Sequence, residues 1–322
     1  MIHTQIKGTG SYVPTSIITN QMLETIVDTS DEWIESRTGI KSRHMTQTEN
    51  TSDLAYEASK KAIEDAGIDK SEIDLLIVAT VTPDYAFPAV SQILQRKLDL
   101  NTITAFDVNA ACSGFVYALN IADKMIKSGA YKQALIIGAE TLTKYTDFED
   151  RNTCVLFADA AGAMVIGKSK EPKIHDVITY AKGDLEGLLR MDGYPLKEHF
   201  KTPENKRPFI TMKGSDVFKF ATKVMPAIIH ELISKSKYTL DDLDMIIAHQ
   251  ANKRIITKAA KDLKYPMDKM YLNIDHYGNT SAASVPLAID EAIKTKKLKK
   301  GDLFATVAFG AGLTWGGAII EL

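Results

Sequence analysis

The sequence predicts an α/β protein built from two copies of one unit, and three observations carry that reading. Short apolar runs, Leu75–Val81 and Ala134–Ile137 among them, alternate with longer segments that are apolar at helical spacing. The short runs are continuously apolar, as strands covered on both faces of a mainly parallel sheet should be. The pattern of SEIDLLIVA (71–79) returns 170 residues later as DDLDMIIAH (241–249): acid, aliphatic, Asp, then an apolar strand. Leu119 and Ile121 find matches in Leu287 and Ile289 at a separation of 168. Near-equal offsets suggest duplicated halves that pack together. The polar, proline-containing stretch Lys168–Pro172 divides them, giving expected halves of residues 1–170 and 171–322.

Composition narrows the function classes. The 322 residues are 45% hydrophobic and 25% charged, ordinary for a soluble globular protein. A formal charge of −2 offers no overall attraction to nucleic acid or an anionic membrane. Only Cys112 and Cys154 occur, so no disulfide framework is implied and a reducing, cytoplasmic setting is expected. No apolar run approaches the ~18–20 residues a bilayer span needs. The start, MIHTQIKGTGSYVP, lacks the signal-peptide pattern and reads as a first strand.

In chain order, Gly8-Thr9-Gly10 opens like a dinucleotide motif, but Val13 stands where the third glycine belongs and Pro14 opposes a helix start. Residues 29–45 combine a helix cap at Ser30 with Trp33, Arg37, Lys41 and Arg43. Arginine beside an aromatic plane suits a ligand bearing phosphate and a base; a solvated helix with one packed Trp is the alternative. Thr51 or Ser52 caps a helix that Gly67 ends. TPDYAFPAVSQ is irregular and carries Tyr85 and Phe87 between two prolines. The strand Ala105–Val108 then runs through small residues into Cys112, and an apolar helix follows from Ser113 to Ser128. A cysteine at a strand-to-helix turn meets free N–H groups and the helix dipole, which lower a thiol's pKa and favour the nucleophilic thiolate. A small buried hydrophobe that happens to be Cys is the competing reading. Cys154 lies in a β-type run and reads as core. Residues 182–208, rich in charge, Gly and Pro, form a long excursion of the kind that tends to be functional.

The duplication then places the chemistry. An offset of 168 carries Cys112 to Thr280, inside HYGNTSAAS (276–284), so Cys112 and the Asn279 loop occupy equivalent turns. His249 falls at the carboxyl end of the second copy of the buried strand, the end where α/β ligand sites lie.

The chain resembles the 3-oxoacyl-(acyl-carrier-protein) synthase III family of thiolase-fold condensing enzymes nearly end to end. The resemblance is carried by DTSDEWI-x-x-RTGI (28–40), AACSGF (110–115), DRNTCVLFADAAGA (150–163), HQANKRI (249–255), HYGNTSAASVPLA (276–288) and FGAGLTWG (309–316). No cysteine follows Cys154, unlike a thiolase, and Asn279 stands where an elongating synthase has a second histidine. The resemblance implies two α/β halves layered α-β-α-β-α. It implies that Cys112 takes an acyl group from acyl-CoA, and that His249 and Asn279 stabilise the enolate formed when malonyl-acyl carrier protein loses CO2. Backbone N–H groups of Cys112 and Ala311 would form the oxyanion hole. Thr29, Trp33, Arg37 and Arg151 would line the CoA site. Phe87 would reach into a partner subunit's acyl pocket, making a homodimer. Lys219, Lys253 and Arg254 would dock the acidic carrier protein; Lys258, Lys261 and Lys264 enlarge that basic face, although the lysines by themselves read first as a solvated helix face. No metal or other cofactor is implied. Ala158, Ala160 and Ala311 depart from the glycines frequent in the family, which leaves the starter acyl group open. Transfer to a non-malonyl acceptor keeps the same acyl-Cys chemistry; a Cys-His-Asn hydrolase lacks its signature here and leaves the duplication unexplained.

Overall fold

The computed structural model describes residues 1–193 and 208–322. Two sheets organise them. The first has the strand order His3–Tyr12, Asp159–Ser169, Gln133–Thr141, Leu75–Ala79, Thr104–Val108. The second runs Met245–Ala248, Leu303–Gly310, Thr314–Glu321, Ile174–Ala181.

The expected mainly parallel sheet is in fact mixed. Leu75–Ala79 pairs parallel with both its neighbours, and Met245–Ala248 pairs parallel with Leu303–Gly310. The other pairings within the two sheets are antiparallel. The connections explain this: only three residues join Leu303–Gly310 to Thr314–Glu321, too few for the crossover that a parallel pair requires.

Strand periodicity sorts the apolar side chains into layers. Leu75, Ile77 and Ala79 face the middle of the molecule and pack with the helices Gly114–Lys127 and Ser284–Lys294. Phe304 and Ala308 of the second sheet close the same core from the other side. Leu76 and Val78 face outward, under the helices Thr51–Ala66 and Val90–Lys97. Ile246 and Val307 likewise lie under Gly214–Lys235 and Lys253–Leu263. The layers are thus α-β-α-β-α, as the fold class expected.

Several local readings change. Elements of the two halves correspond at a constant 170: Lys70–Glu72 with Leu240–Asp242, Ala111–Ser113 with Ser281–Ala283, and the helix starts Gly114 and Ser284. The counterpart of Cys112 is therefore Ala282, and that of Asn279 is Asn109. Gly8 and Gly10 are spacing devices, since a Cβ on Gly8 would lie 2.3 Å from Ala66 N in the helix Thr51–Ala66. That helix is capped by Asn50, whose backbone N–H donates to Asp53 Oδ2 at 2.8 Å, and not by Thr51 or Ser52. Cys154 ends the short helix Arg151–Cys154 and is buried in the core, outside any strand. Arg43 is no ligand arginine. It is fully buried and donates to the carbonyls of Ile18 (3.2 Å) and Val155 (2.9 Å), and burial lowers its pKa to about 10.

Candidate active site

Three strand ends and one further turn converge. After Thr104–Val108 the chain makes the turn Ala111–Ser113, with Ala111 at φ +46°, and enters the central helix with Cys112 held in that turn. Gly310 ends the neighbouring strand of the second sheet. A Cβ there would lie 2.6 Å from Cys112 N, so the missing side chain lets Ala311 and Gly312 approach the cysteine. His249 follows Met245–Ala248, its N–H bound to Val307 O at 2.8 Å. Asn279 precedes the second turn, its backbone tied to Leu156 O and Ala158 N.

Cys112, His249 and Asn279 are 6%, 1% and 7% exposed and line one cavity with Phe157, Phe220 and Phe309. A second cavity of about 350 Å3, lined by Val81, Leu142, Leu189 and Ile210, meets the first at Cys112, Phe157 and Ala311. Part of the 182–208 excursion therefore borders the cysteine; residues 194–207 lie outside the described residues.

Hydrogen bonds fix what the two polar partners can offer. Asn279 Oδ1 accepts from Ser281 N at 2.9 Å, which assigns the amide and leaves Nδ2–H free. His249 Nδ1 lies 2.6 Å from Ser284 Oγ, which also accepts from Gln250 N at 3.4 Å. Among the described contacts Nδ1 is the acceptor available to the Ser284 hydroxyl proton, which assigns the ring proton to Nε2 as a donor. Burial lowers the pKa of His249 to about 3, so the ring is neutral at working pH. Phe309 holds it edge-on, with ring centroids 5.3 Å apart.

The thiol departs from expectation. Burial pushes Cys112 up to about 12, with the charge of buried Glu140 adding to the rise and a hydrogen bond from Ser281 opposing it. Desolvation of a thiolate outweighs the helix terminus here, so the resting group is a thiol and its charge appears only during reaction.

Other predicted residues fall into three places. The Arg151 guanidinium lies 4.9 Å from the centre of the Trp33 ring and donates to Asp28 O at 2.9 Å. Thr29 precedes the helix Asp31–Thr38 that carries Trp33, its hydroxyl buried with no hydrogen-bond partner among the described residues; exposed Arg37 lies in the last turn of that helix, and its carbonyl accepts from Asn252 Nδ2 at 3.0 Å. Lys253 and Arg254 open the helix Lys253–Leu263, and Arg254 lies 5.5 Å from the centre of the Phe218 ring. Phe218 lines both that basic groove and the Cys112 cavity, linking the two; Lys219, paired with Asp216, is the next residue. Phe87 does not join the site within one chain: it is 86% exposed on the loop before Val90–Lys97. Glu140, Ser281 and Ser284 are site residues the sequence reading did not single out. The signal for Ser281 and Glu140 is the 170 offset, which pairs them with Ala111 and Gly310.

Comparison with known proteins follows the same lines. The protein is similar to a solved 3-oxoacyl-(acyl-carrier-protein) synthase III from Aquifex aeolicus, with a TM-score of 0.93 and 45% identity over 99% of this chain and 100% of that one. By its layers and this likeness it is a condensing enzyme of the thiolase fold. Family models described as 3-oxoacyl-(acyl-carrier-protein) synthase III and its C-terminal region match residues 106–183 and 233–322. A beta-ketoacyl-(acyl-carrier-protein) synthase III of Xanthomonas euvesicatoria is 47% identical over 99% of this chain and 98% of its own length. One from Clostridium perfringens is 48% identical over the whole of both chains. The chain belongs to the 3-oxoacyl-(acyl-carrier-protein) synthase III family.

Proposed function

We propose that the protein starts fatty acid synthesis by condensing an acyl-CoA with malonyl-acyl carrier protein, through an acyl-Cys112 intermediate. The Cys112 sulfur attacks the acyl-CoA carbonyl, and the N–H groups of Cys112 and Ala311 take the oxyanion as CoA leaves. Malonyl-carrier protein then enters from the basic face of Lys219, Lys253 and Arg254. His249 Nε2–H and Asn279 Nδ2–H donate to its thioester carbonyl, so electrons from the breaking C–C bond collect on that oxygen as CO2 departs. The carbanion attacks the acyl-Cys carbonyl and expels Cys112, giving 3-oxoacyl-carrier protein.

The observation that carries this reading is the pair of neutral N–H donors aimed into the Cys112 cavity, their other polar atoms already bound by Ser284 and Ser281. Neither donor needs to change charge, as enolate stabilisation requires. Trp33 and Arg151, already stacked, would open to hold the CoA adenine. Exposed Phe87 and Tyr85 support a homodimer in which Phe87 completes the partner's acyl pocket. No cofactor takes part, and the setting is cytoplasmic. Incubation with acetyl-CoA and malonyl-carrier protein should release CO2 and a 3-oxoacyl-carrier protein in equal amounts. Acyl transfer with no CO2 would refute the assignment in favour of a non-malonyl acceptor.

A further inference from the structure

A fully buried carboxylate behind the second cavity takes no part in the condensation. Glu140, on the strand Gln133–Thr141, is in contact with two residues of the cavity wall, Val81 and Ser281. Its Oε2 accepts from Thr82 Oγ1 (2.6 Å), Thr80 Oγ1 (3.1 Å) and Val81 N (3.1 Å). Its Oε1 accepts from Ser281 Oγ at 3.1 Å. Three donors that follow the strand Leu75–Ala79 thus hold the carboxylate still, and the fourth bond crosses to the other half of the chain. Gly138 permits that crossing. It shares a strand face with Glu140, and a Cβ on it would lie 2.1 Å from Ala282 O, so the strand lies directly against the turn Ser281–Ala283.

Ser281 passes the restraint on to Asn279. It sits at φ +49°, a conformation that non-glycine residues avoid and that persists where the surroundings over-determine it. Two bonds do so here: the hydroxyl donates to Glu140, and the N–H donates to Asn279 Oδ1 at 2.9 Å. An amide group is planar, so fixing Oδ1 fixes where Nδ2–H points. The first half of the chain supplies a comparison. Ala111 makes the same turn at φ +46°, and its N–H donates to Asn109 Oδ1, but at 3.4 Å. Alanine stands there for Ser281 and Gly310 for Glu140, so that turn has neither the hydroxyl nor the carboxylate. The half that carries Asn279 has both, and the shorter bond.

We propose that Glu140 is a positioning residue for Asn279: through the Ser281 hydroxyl it fixes the turn whose N–H anchors the asparagine amide, and so aims Nδ2–H at the malonyl thioester carbonyl. This rests on the reading of Asn279 as a donor in decarboxylation. Glu140 acts through Ser281 and not by contact with substrate. The anion is the form that accepts from four donors at once. Burial raises its pKa to about 7 against the pull of those donors, so assays at about pH 8 keep it ionised.

The test times the second half of the reaction alone. The full-length protein and its variants are first acylated with acetyl-CoA, checked by intact mass, and CO2 release is followed after malonyl-carrier protein is added. Ser281→Ala keeps the backbone N–H bound to Asn279 and the three other donors to Glu140. It should release CO2 about 10-fold more slowly, as should Glu140→Gln, for the loss of one buried hydrogen bond. Asn279→Ala should lose about 100-fold or more. The deciding protein carries Asn279→Ala and Ser281→Ala together. A serine that acts through the asparagine has nothing left to position there, so the double variant should match Asn279→Ala within about two-fold. Ser281→Ala decides the matter should Glu140→Gln fail to fold. An unaltered rate in Ser281→Ala, a further loss in the double variant, or a Ser281→Ala protein that takes up no acyl group would overturn the proposal. Unaltered CO2 release in Asn279→Ala would instead overturn the donor reading on which it rests.

Discussion

Replacing His249 by alanine separates the two halves of the reaction. The imidazole is 1% exposed, bonded through Nδ1 to Ser284 and wedged against Phe309, with Nε2–H as its one free donor. Removing a preorganised donor to a developing oxyanion costs about 10²–10³ in rate, roughly 3–4 kcal/mol. Decarboxylation of malonyl-carrier protein should fall by that factor. Acylation should stay within a few-fold, because the ring's free donor serves the malonyl thioester. The role also specifies its own rescue. With its pKa lowered from 6.5 to about 3, a neutral ring acts as a donor and never as a cation, so His249→Gln should recover part of what alanine loses. The assays are intact mass for acyl-Cys112 and labelled CO2 release for decarboxylation, on the same preparations. Equal loss of both activities in His249→Ala, or a glutamine variant as slow as alanine, would refute the donor assignment.

Other outcomes follow from neighbouring contacts. Ser284→Ala removes the hydroxyl that fixes the His249 tautomer and should slow decarboxylation about 10-fold while Ser284→Thr restores it, as a loss of roughly 1–2 kcal/mol from a buried hydrogen bond requires. Arg254→Glu should raise KM for malonyl-carrier protein several-fold but not KM for acyl-CoA, and added salt should shrink the difference. Stability against pH should show two opposed slopes. The folded pKa of His249 is depressed, so unfolding takes up its proton first and stability falls as pH drops below 6.5, by about 2 kcal/mol at pH 5. The folded pKa of Glu140 is raised, so folding takes up its proton first and stability rises as pH drops from about 7 to 4.5. Urea melts should therefore show Glu140→Gln losing stability between pH 7 and 5 more steeply than the unaltered protein; parallel curves would contradict this.

How far the sequence reaches can be judged residue by residue. That Cys112, His249 and Asn279 share one cavity was legible because His249 follows an apolar strand, Cys112 and Asn279 precede helices, and the repeat puts those ends on one side. Trp33 and Arg151 were legible only through motifs, since 118 residues separate them and nothing in spacing brings them together. The direction of the Cys112 shift was not legible: the turn argues for a lowered pKa, and only three-dimensional burial reverses it. Arg43 misled for a related reason, because a charge in a basic cluster reads as surface until its carbonyl partners are seen. Glu140 sits in an otherwise apolar strand, and that Ser281 from the other half of the chain donates to it shows only in three dimensions. The offset of 168 failed by two residues because side-chain matches along a helix tolerate such shifts. Backbone correspondence does not, and the 170 offset pairs Asn109 with Asn279, each accepting from the N–H two residues ahead.

The most direct test of the account is the mass of the protein after brief exposure to acyl-CoA without malonyl-carrier protein. One acyl group should appear, mapped to Cys112 by peptide analysis, and should be absent from Cys112→Ala. An adduct on Cys112→Ala, or one mapped to Cys154 in the core, would contradict it.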